Sequence, residues 1–190
     1  MDLIKASRIY GTLCYCINSR SRSVILDMGN EYKIPAQTHI GHVHLKVSDI
    51  QRSLDFYCGL LGFELVTMYG RDAAFISAGG YHHHIGLNTW FSKDQPPASQ
   101  RSVGLFHTAI LYPTRKDLAV ILKRLVTAGY QLTGASDHGV SEALYLDDPD
   151  KNGVELYWDR PKEQWPRKED GCIEMFTKAL DLEGLLAELS

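Results

Sequence analysis

The sequence lacks several features that would assign it to common functional classes. No apolar run approaches the roughly 18 to 20 residues that a membrane-spanning helix needs, so we expect no membrane partner. Basic residues are not in excess, because 20 Lys and Arg stand against 23 Asp and Glu and the formal net charge is -3. Nucleic acid is therefore not an expected partner. No phosphate-binding loop surrounds the glycines, which we interpret as turn residues.

Cysteine is scarce, and its spacing matches no zinc motif. The four cysteines are Cys14, Cys16, Cys58 and Cys172. A Cys-x-Cys pair followed by two distant single residues does not supply the paired ligands of a structural zinc site. We therefore predict four reduced thiols in a cytoplasmic protein.

The chain has the composition of a folded globular protein. Of its 190 residues, 44% are hydrophobic and 23% are charged. This length suits one domain or two fused small domains, and it suffices for a core without disulfide support.

The hydrophobic pattern runs through the same series of elements twice. In the first pass, strand-like alternation covers residues 39–47, and a helix follows between an N-cap at Asp49 and a stop at Gly62. Three further strands are predicted at residues 63–69, 73–77 and 82–90.

The second pass begins after a proline-containing linker. It predicts a strand at residues 103–112, a helix between a capping Thr114 and Gly129, and three strands at residues 130–133, 141–146 and 154–158. A strand-helix-strand-strand-strand unit of this size has a sheet face that must pack against its copy.

These patterns predict four regions. Residues 1–37 form an N-terminal extension, residues 38–93 the first module and residues 102–160 the second module. Residues 161–190 form a C-terminal tail with a short helix near residues 180–189.

Three residues of the predicted strands are candidate metal ligands. His42 and His107 open the first strand of each module, and Glu155 lies in a strand of Val, Leu, Tyr and Trp. A single histidine on a strand is usually structural, but a carboxylate in so apolar a strand needs a partner. If these residues converge, two imidazoles and one carboxylate leave coordination positions open and suit non-haem Fe(II).

The first module contains a recognisable phrase. The strand His42-Val-His-Leu-Lys-Val-Ser-Asp49 and the helix that follows resemble the vicinal oxygen chelate superfamily, over roughly residues 38 to 160. That superfamily includes glyoxalase I, fosfomycin- and bleomycin-resistance proteins and type I extradiol dioxygenases. The resemblance implies an α+β fold, in which paired βαβββ modules form a cupped, incomplete β-barrel around a metal site.

A second motif is similar to that of the extradiol (catechol 2,3-) dioxygenases. It comprises His138, Leu144, Tyr145, Asp148, Pro149 and Glu155. The sequence departs from the pattern at Ser136 and Lys151, which we place in loops or turns and which carry no group of the expected chemistry.

The resemblance implies roles for six residues. His42, His107 and Glu155 would hold the metal. His138 and Tyr145 would donate hydrogen bonds to bound oxygen and to the substrate oxygen. His83 would act as acid and base at the start of the first module's last strand, with the neighbouring His84 as the alternative.

The function implied is that of an oxidoreductase in aromatic compound degradation. It would be an extradiol ring-cleaving dioxygenase that uses Fe(II), or alternatively Mn(II), to react a catechol-like diol with O2, without an organic cofactor. Two alternatives remain open. One is a glyoxalase- or isomerase-like metalloenzyme in which His83 or His84 is a fourth ligand, and the other is a small-molecule-binding protein of the resistance type. Dimerisation is common in the superfamily, so a homodimer also remains open.

Overall fold

The fold is described from a computed structural model, which describes residues 32–190. The predicted extension over residues 1–37 therefore lies mostly outside the described residues. Its described part, residues 32–37, contains a turn but no helix or strand.

The first module contains a four-stranded sheet. Its strands are β1 (Val43–Lys46), β2 (Glu64–Tyr69), β3 (Ala73–Ser77) and β4 (Ile85–Asn88), in the order β1-β4-β3-β2. β1 and β4 are parallel, and the other pairs are antiparallel. Strand β3 has its predicted limits.

Strands β1 and β4 are shorter than predicted, because pairing between them begins only at Val43 and Ile85. His42 and His83 consequently lie in the irregular segments that precede β1 and β4. The ring of His84 is engaged in the turn before β4, where its Nδ1 accepts from the amide of Ala78 at 3.3 Å.

The helix of the first module connects β1 to β2. It begins as α1 (Ile50–Leu54) and continues as a π-helical turn over Asp55–Leu60. The predicted N-cap is confirmed, since the carboxylate of Asp49 accepts from the amide of Arg52 at 2.8 Å. Gly62 ends the helix with a φ of 91°, which glycine adopts without strain.

The second module repeats this topology and adds one strand. Its strands are β5 (His107–Leu111), β6 (Gly134–Asp137), β7 (Ser141–Asp147), β8 (Gly153–Asp159) and β9 (Lys178–Ala179). The sheet order is β5-β8-β7-β6-β9, with β5 parallel to β8. The C-terminal tail therefore contributes an edge strand that the sequence pattern did not predict.

The predicted strand at residues 130–133 is wrong. The strand in this position is β6, four residues further along the chain, while Tyr130 belongs to the connection after the helix. Tyr130 packs against Phe56 of the first module, and its hydroxyl donates to the carbonyl oxygen of Asp147 at 2.7 Å. Its aromatic character therefore serves packing between modules and not a strand.

Two further helices pack on the second module. Helix α2 (Arg115–Thr127) has the predicted cap, because the hydroxyl of Thr114 accepts from the amide of Asp117. In the tail, α3 (Leu182–Leu186) continues as a 3-10 turn over Ala187–Leu189. The predicted tail helix is therefore present but short.

The two modules share one hydrophobic core. Buried side chains of α1, α2 and α3 and of the outward faces of both sheets form a single cluster. Polar contacts also cross between the modules. The buried Tyr57 hydroxyl donates to Asp148 at 3.0 Å, and Arg52 pairs with Asp150. The predicted α+β fold with two βαβββ modules is confirmed, and the sheets form an open cup.

The described cysteines differ from the prediction. Cys58 is a free thiol, but Cys172 is disulfide-bonded, so the prediction of four reduced thiols is wrong at Cys172. Cys14 and Cys16 lie outside the described residues. Within residues 32–190, no helix has the length and apolar character needed to cross a bilayer.

Candidate active site

Strand β8 positions Glu155 on the inner face of the second sheet. Val154 and Leu156, its neighbours along the strand, are buried in the core on the opposite face. The parallel pairing of β5 with β8 brings His107 beside Glu155. His107 Nε2 lies 2.9 Å from Glu155 Oε2, and the Glu155 side chain is only 13% exposed.

Gly153 makes this approach possible. It pairs with His107, and a Cβ atom at this position would lie 2.2 Å from the carbonyl oxygen of Phe106. No larger residue fits without separating β5 from β8. The glycine thus determines how closely His107 approaches Glu155.

Tyr145 extends the site from the neighbouring strand β7. It pairs directly with Glu155, and its hydroxyl donates to Glu155 Oε1 at 2.9 Å. Burial, together with the hydrogen bond to Glu155 and the charge of that carboxylate, raises the pKa of Tyr145. The phenol therefore remains protonated and is a donor at neutral pH.

His138 completes this group from the turn between β6 and β7. Its Nε2 lies 2.7 Å from the Tyr145 hydroxyl. The next residue, Gly139, has a φ of 79°, and its amide donates to the Asp137 carboxylate at 2.8 Å. His138, Tyr145, Glu155 and His107 consequently form one continuous row of polar contacts.

His42 and His83 form a separate group in the first module. Their ring centroids lie 4.4 Å apart, and His83 Nδ1 lies 2.8 Å from His82 Nδ1. Burial lowers the pKa of His83, and His42 and His82 add to this effect through like-charge repulsion. A neutral imidazole is available there to accept a proton.

The structure therefore brings together only part of the predicted metal site. His107 and Glu155 are in contact, whereas His42 lies with His83. Among residues 32–190, no three His, Cys, Asp or Glu side chains are arranged to hold one ion. The His107–Glu155 pair itself fits a metal, since two ligands about 2.1 Å from an ion at a right angle lie about 3.0 Å apart.

A cavity of about 980 Å³ lies between the modules. The first module contributes His44 and Lys46 of β1 to its lining, and the second contributes His107 and Tyr145. His42, His83, His138 and Glu155 are not among its lining residues. Burial, and then the charge of His42, lowers the pKa of His44. No role was predicted for His44, although its alternation with Val43 and Leu45 puts it on the same strand face as His42.

Comparison with protein families and curated proteins gives consistent matches. A family model described as the Glyoxalase/Bleomycin resistance protein/Dioxygenase superfamily matches residues 39–156. A catechol-2,3-dioxygenase of Bacillus subtilis (strain 168) is 44% identical over 159 residues, covering 82% of this chain and 53% of that protein. A biphenyl-2,3-diol 1,2-dioxygenase of Rhodococcus globerulus is 32% identical over 124 residues, covering 65% of this chain and 64% of that protein. The chain thus spans about half to two thirds of the length of these relatives.

Solved structures show the same fold. A glyoxalase/dioxygenase from Nostoc punctiforme superposes with a TM-score of 0.54 at 18% sequence identity. The match covers 74% of this chain and all of that one. This likeness concerns the fold alone.

Proposed function

The chain belongs to the glyoxalase/bleomycin resistance protein/dioxygenase superfamily, and from this membership we propose that it is a metal-dependent extradiol dioxygenase. Its substrates would be O2 and a small aromatic diol with two adjacent hydroxyls. The names of two relatives, a catechol-2,3-dioxygenase and a biphenyl-2,3-diol dioxygenase, support this substrate class. We further propose a role in aromatic compound degradation in the cytoplasm. A homodimer stays a prediction.

One observation carries the proposal. In the row of His138, Tyr145, Glu155 and His107, the Glu155 carboxylate faces the His107 imidazole. The protonated phenol of Tyr145 and the imidazole of His138 follow on the other side of Glu155. A structural ion pair would need only the first two groups. The additional phenol and imidazole, of which Tyr145 lines the cavity together with His107, are typical of a site that handles protons beside a bound oxygen.

We propose His42, His107 and Glu155 as the metal ligands. Two imidazoles and one carboxylate suit Fe(II), and Mn(II) shares much of this preference. A divalent metal held there would supply a Lewis-acid centre for the adjacent diol oxygens and would pass electrons from the diol to O2. His44, which lines the cavity together with His107, is the alternative to His42.

The remaining residues would act on protons. Tyr145 would donate a hydrogen bond to a developing oxyanion of the substrate, as its raised pKa allows. His138 would hold or return the proton of that phenol through their 2.7 Å contact. His83, whose pKa is lowered, would accept a proton from the diol.

Anaerobic reconstitution tests the activity. The purified chain is loaded with Fe(II) or Mn(II), mixed with catechol or 2,3-dihydroxybiphenyl, and exposed to air. We expect uptake of one O2 per ring and a coloured ring-opened product. The absence of O2 uptake with every diol would overturn the proposal. Isomerisation of a hemithioacetal without O2 would instead identify the glyoxalase-like alternative.

Metal affinity tests the ligand set separately from catalysis. The variants His42→Ala, His44→Ala, His107→Ala and Glu155→Gln are titrated with Mn(II) or anaerobic Fe(II). His39→Ala is a matched control, because His39 is exposed and contacts the nearby carbonyl of Gln37. We expect losses of at least 10-fold for His42, His107 and Glu155, in line with the effect of removing groups at a metal site. A loss at His44 with none at His42 would exchange their roles.

A further inference from the structure

We propose that the chain segment before β9 positions His138 and fixes its tautomer through the carbonyl oxygen of Phe176. The inference rests on the proposed function, since it concerns the proton-handling row. Phe176 and Thr177 would be positioning residues, because neither is expected to touch the substrate.

Two contacts connect this segment to the His138 ring. His138 Nδ1 lies 3.0 Å from the carbonyl oxygen of Phe176 and 3.3 Å from the hydroxyl of Thr177. The backbone is paired as well, because the amide of Phe176 donates to the carbonyl of His138 at 3.3 Å. The segment therefore contacts both the ring and the main chain of His138.

A count of donors and acceptors then determines the tautomer. A carbonyl oxygen can only accept, so His138 Nδ1 must carry the proton of this hydrogen bond. In the neutral imidazole, Nε2 then has a lone pair 2.7 Å from the Tyr145 hydroxyl, and it competes with Glu155 Oε1 for the phenol proton. The opposite tautomer would place a lone pair against the Phe176 carbonyl and lose that bond, leaving Nδ1 only the longer contact with the Thr177 hydroxyl at 3.3 Å.

This tautomer gives the row two proton arrangements. Tyr145 has one proton and two acceptors, His138 Nε2 and Glu155 Oε1. With neutral His138, the phenol donates to only one of them. The tautomer of His138 therefore decides whether Nε2 competes with Glu155 Oε1 for the phenol proton or donates its own proton to the phenol oxygen.

The tail is built to hold this position. Strand β9 pairs with β6, so that Lys178 lies opposite Asp137, the residue before His138. The Phe176 ring packs on Gly139, where a Cβ atom would lie 2.7 Å from Phe176 Cε1. The Lys178 Nζ lies 4.4 Å from the centroid of the same ring. These contacts place the Phe176 carbonyl on a fixed element.

The decisive experiment weakens that carbonyl without changing any side chain. Residues 172–190, made synthetically, are ligated at Cys172 to residues 1–171, which gives the full chain. Replacing the amide between Phe176 and Thr177 by an ester makes the Phe176 carbonyl a weaker acceptor. A matched control carries the ester between Glu174 and Met175. The tautomer of His138 is read in the metal-free protein from the ¹⁵N shifts of its ring.

We expect the Nδ1–H tautomer in the unmodified chain and the control. The Phe176 ester should shift the tautomer ratio about two- to tenfold toward Nε2–H, because one neutral hydrogen bond is weakened. An Nε2–H tautomer in the unmodified chain, or an unchanged ratio in the ester, would overturn the proposal. This readout needs no activity, so failure of the proposed dioxygenase function would leave it intact.

Thr177 provides a second test by ordinary mutagenesis. Thr177→Val removes the hydroxyl near His138 Nδ1, whereas Thr177→Ser retains it. We expect Val to change the ¹⁵N shift of Nδ1 and Ser to resemble the unmodified chain. With an active enzyme, Val should lower kcat about two- to fivefold and leave KM unchanged, because the hydroxyl contributes one secondary contact. Equal behaviour of the two variants would remove Thr177 from the proposal.

Discussion

Tyr145 is the residue on which the proposed chemistry depends most. Its hydroxyl is the sole atom of the row that contacts both His138 and Glu155 in the structure. Burial and the neighbouring carboxylate raise its pKa, so it serves as a donor and not as a base. Its function therefore depends on a single proton shared between two acceptors.

Tyr145→Phe should remove this proton while preserving the ring. We expect kcat for diol cleavage to fall about 100-fold, the usual cost of losing one donor to a developing oxyanion. KM should change little if the hydroxyl acts mainly in the transition state. Tyr157→Phe, which removes a phenol from the neighbouring strand β8, is the matched control. Equal kcat values for both variants would show that the row is structural.

Asp137, the residue before His138, supports the turn that carries His138, because it accepts from the Gly139 amide. Burial raises the pKa of Asp137, but hydrogen bonds from Arg160 and from the Gly139 amide outweigh this effect and lower it overall. The Arg160 contact measures 2.7 Å, and the Asp137 side chain is 27% exposed. A carboxylate with a lowered pKa stabilises the fold above its unfolded pKa of about 3.9 and loses this effect as the pH falls through the folded value.

Asp137→Asn should therefore destabilise the protein in a pH-dependent way. We expect a loss of about 1 to 2 kcal/mol in the free energy of unfolding near pH 6. The difference from the unmodified protein should shrink as the pH falls from about 3.9 through the lowered folded pKa of Asp137, because the carboxylate then becomes protonated. Urea unfolding across this range provides the measurement. Asp55→Asn, at an exposed position, should show little pH dependence, and similar curves for the two variants would refute the assignment.

Among the elements, the pair β5 and β8 has the tightest geometric requirement. The two strands are parallel and adjacent in the sheet, and their first residues, His107 and Gly153, are paired. The absence of a side chain at Gly153 lets the backbone of β5 approach. The position of His107 is thus a property of the strand pair.

Gly153→Ala should separate these strands. The new Cβ atom would meet the carbonyl oxygen of Phe106 at 2.2 Å, and backbone cannot move aside as a side chain can. We expect destabilisation of about 1 to 3 kcal/mol, typical of overpacking, together with weaker metal binding. Thermal unfolding and metal titration measure the two effects. Gly104→Ala, where nothing lies within 4 Å, is the control, and equal effects would contradict this account.

At the scale of the whole molecule, the two modules are joined through the turn between β7 and β8. Asp148 is only 2% exposed and accepts from the Tyr57 hydroxyl of the first module at 3.0 Å. It also accepts from Asn152 and from the amide of Asp150. Burial raises the pKa of Asp148 even though these donors favour its ionised form. The contact holds together the two modules, whose His44 and His107 both line the cavity.

A double-mutant cycle tests whether this contact couples the modules. Tyr57→Phe removes the donor, and Asp148→Asn replaces one acceptor oxygen by a nitrogen that cannot accept. We expect a coupling energy of about 0.5 to 3 kcal/mol in urea unfolding, because the two groups are in direct contact. Tyr32→Phe, at a residue that is 84% exposed, should be additive with Asp148→Asn. Additive effects for Tyr57 would show that the Tyr57–Asp148 contact does not couple the modules.

Local features of the fold could be predicted from the sequence. Contacts within a few residues determine the caps at Asp49 and Thr114. Local alternation likewise determines the repeated order of elements and the sheet face on which Glu155 lies. Strand ends were less predictable, because pairing with a distant strand decides where β1 and β4 begin. The wrong strand at residues 130–133 has the same origin, since its aromatic residue packs on the other module.

The sequence by itself determined the duplicated α+β architecture and the residue types available for chemistry, because alternation, capping and turn formation are local. Only the tertiary structure decided which of those residues meet. It placed His107 against Glu155, His44 and not His42 in the cavity lining, and the Phe176 carbonyl against His138. These contacts join segments that are far apart in the chain, and their geometry depends on how sheets, modules and tail pack together.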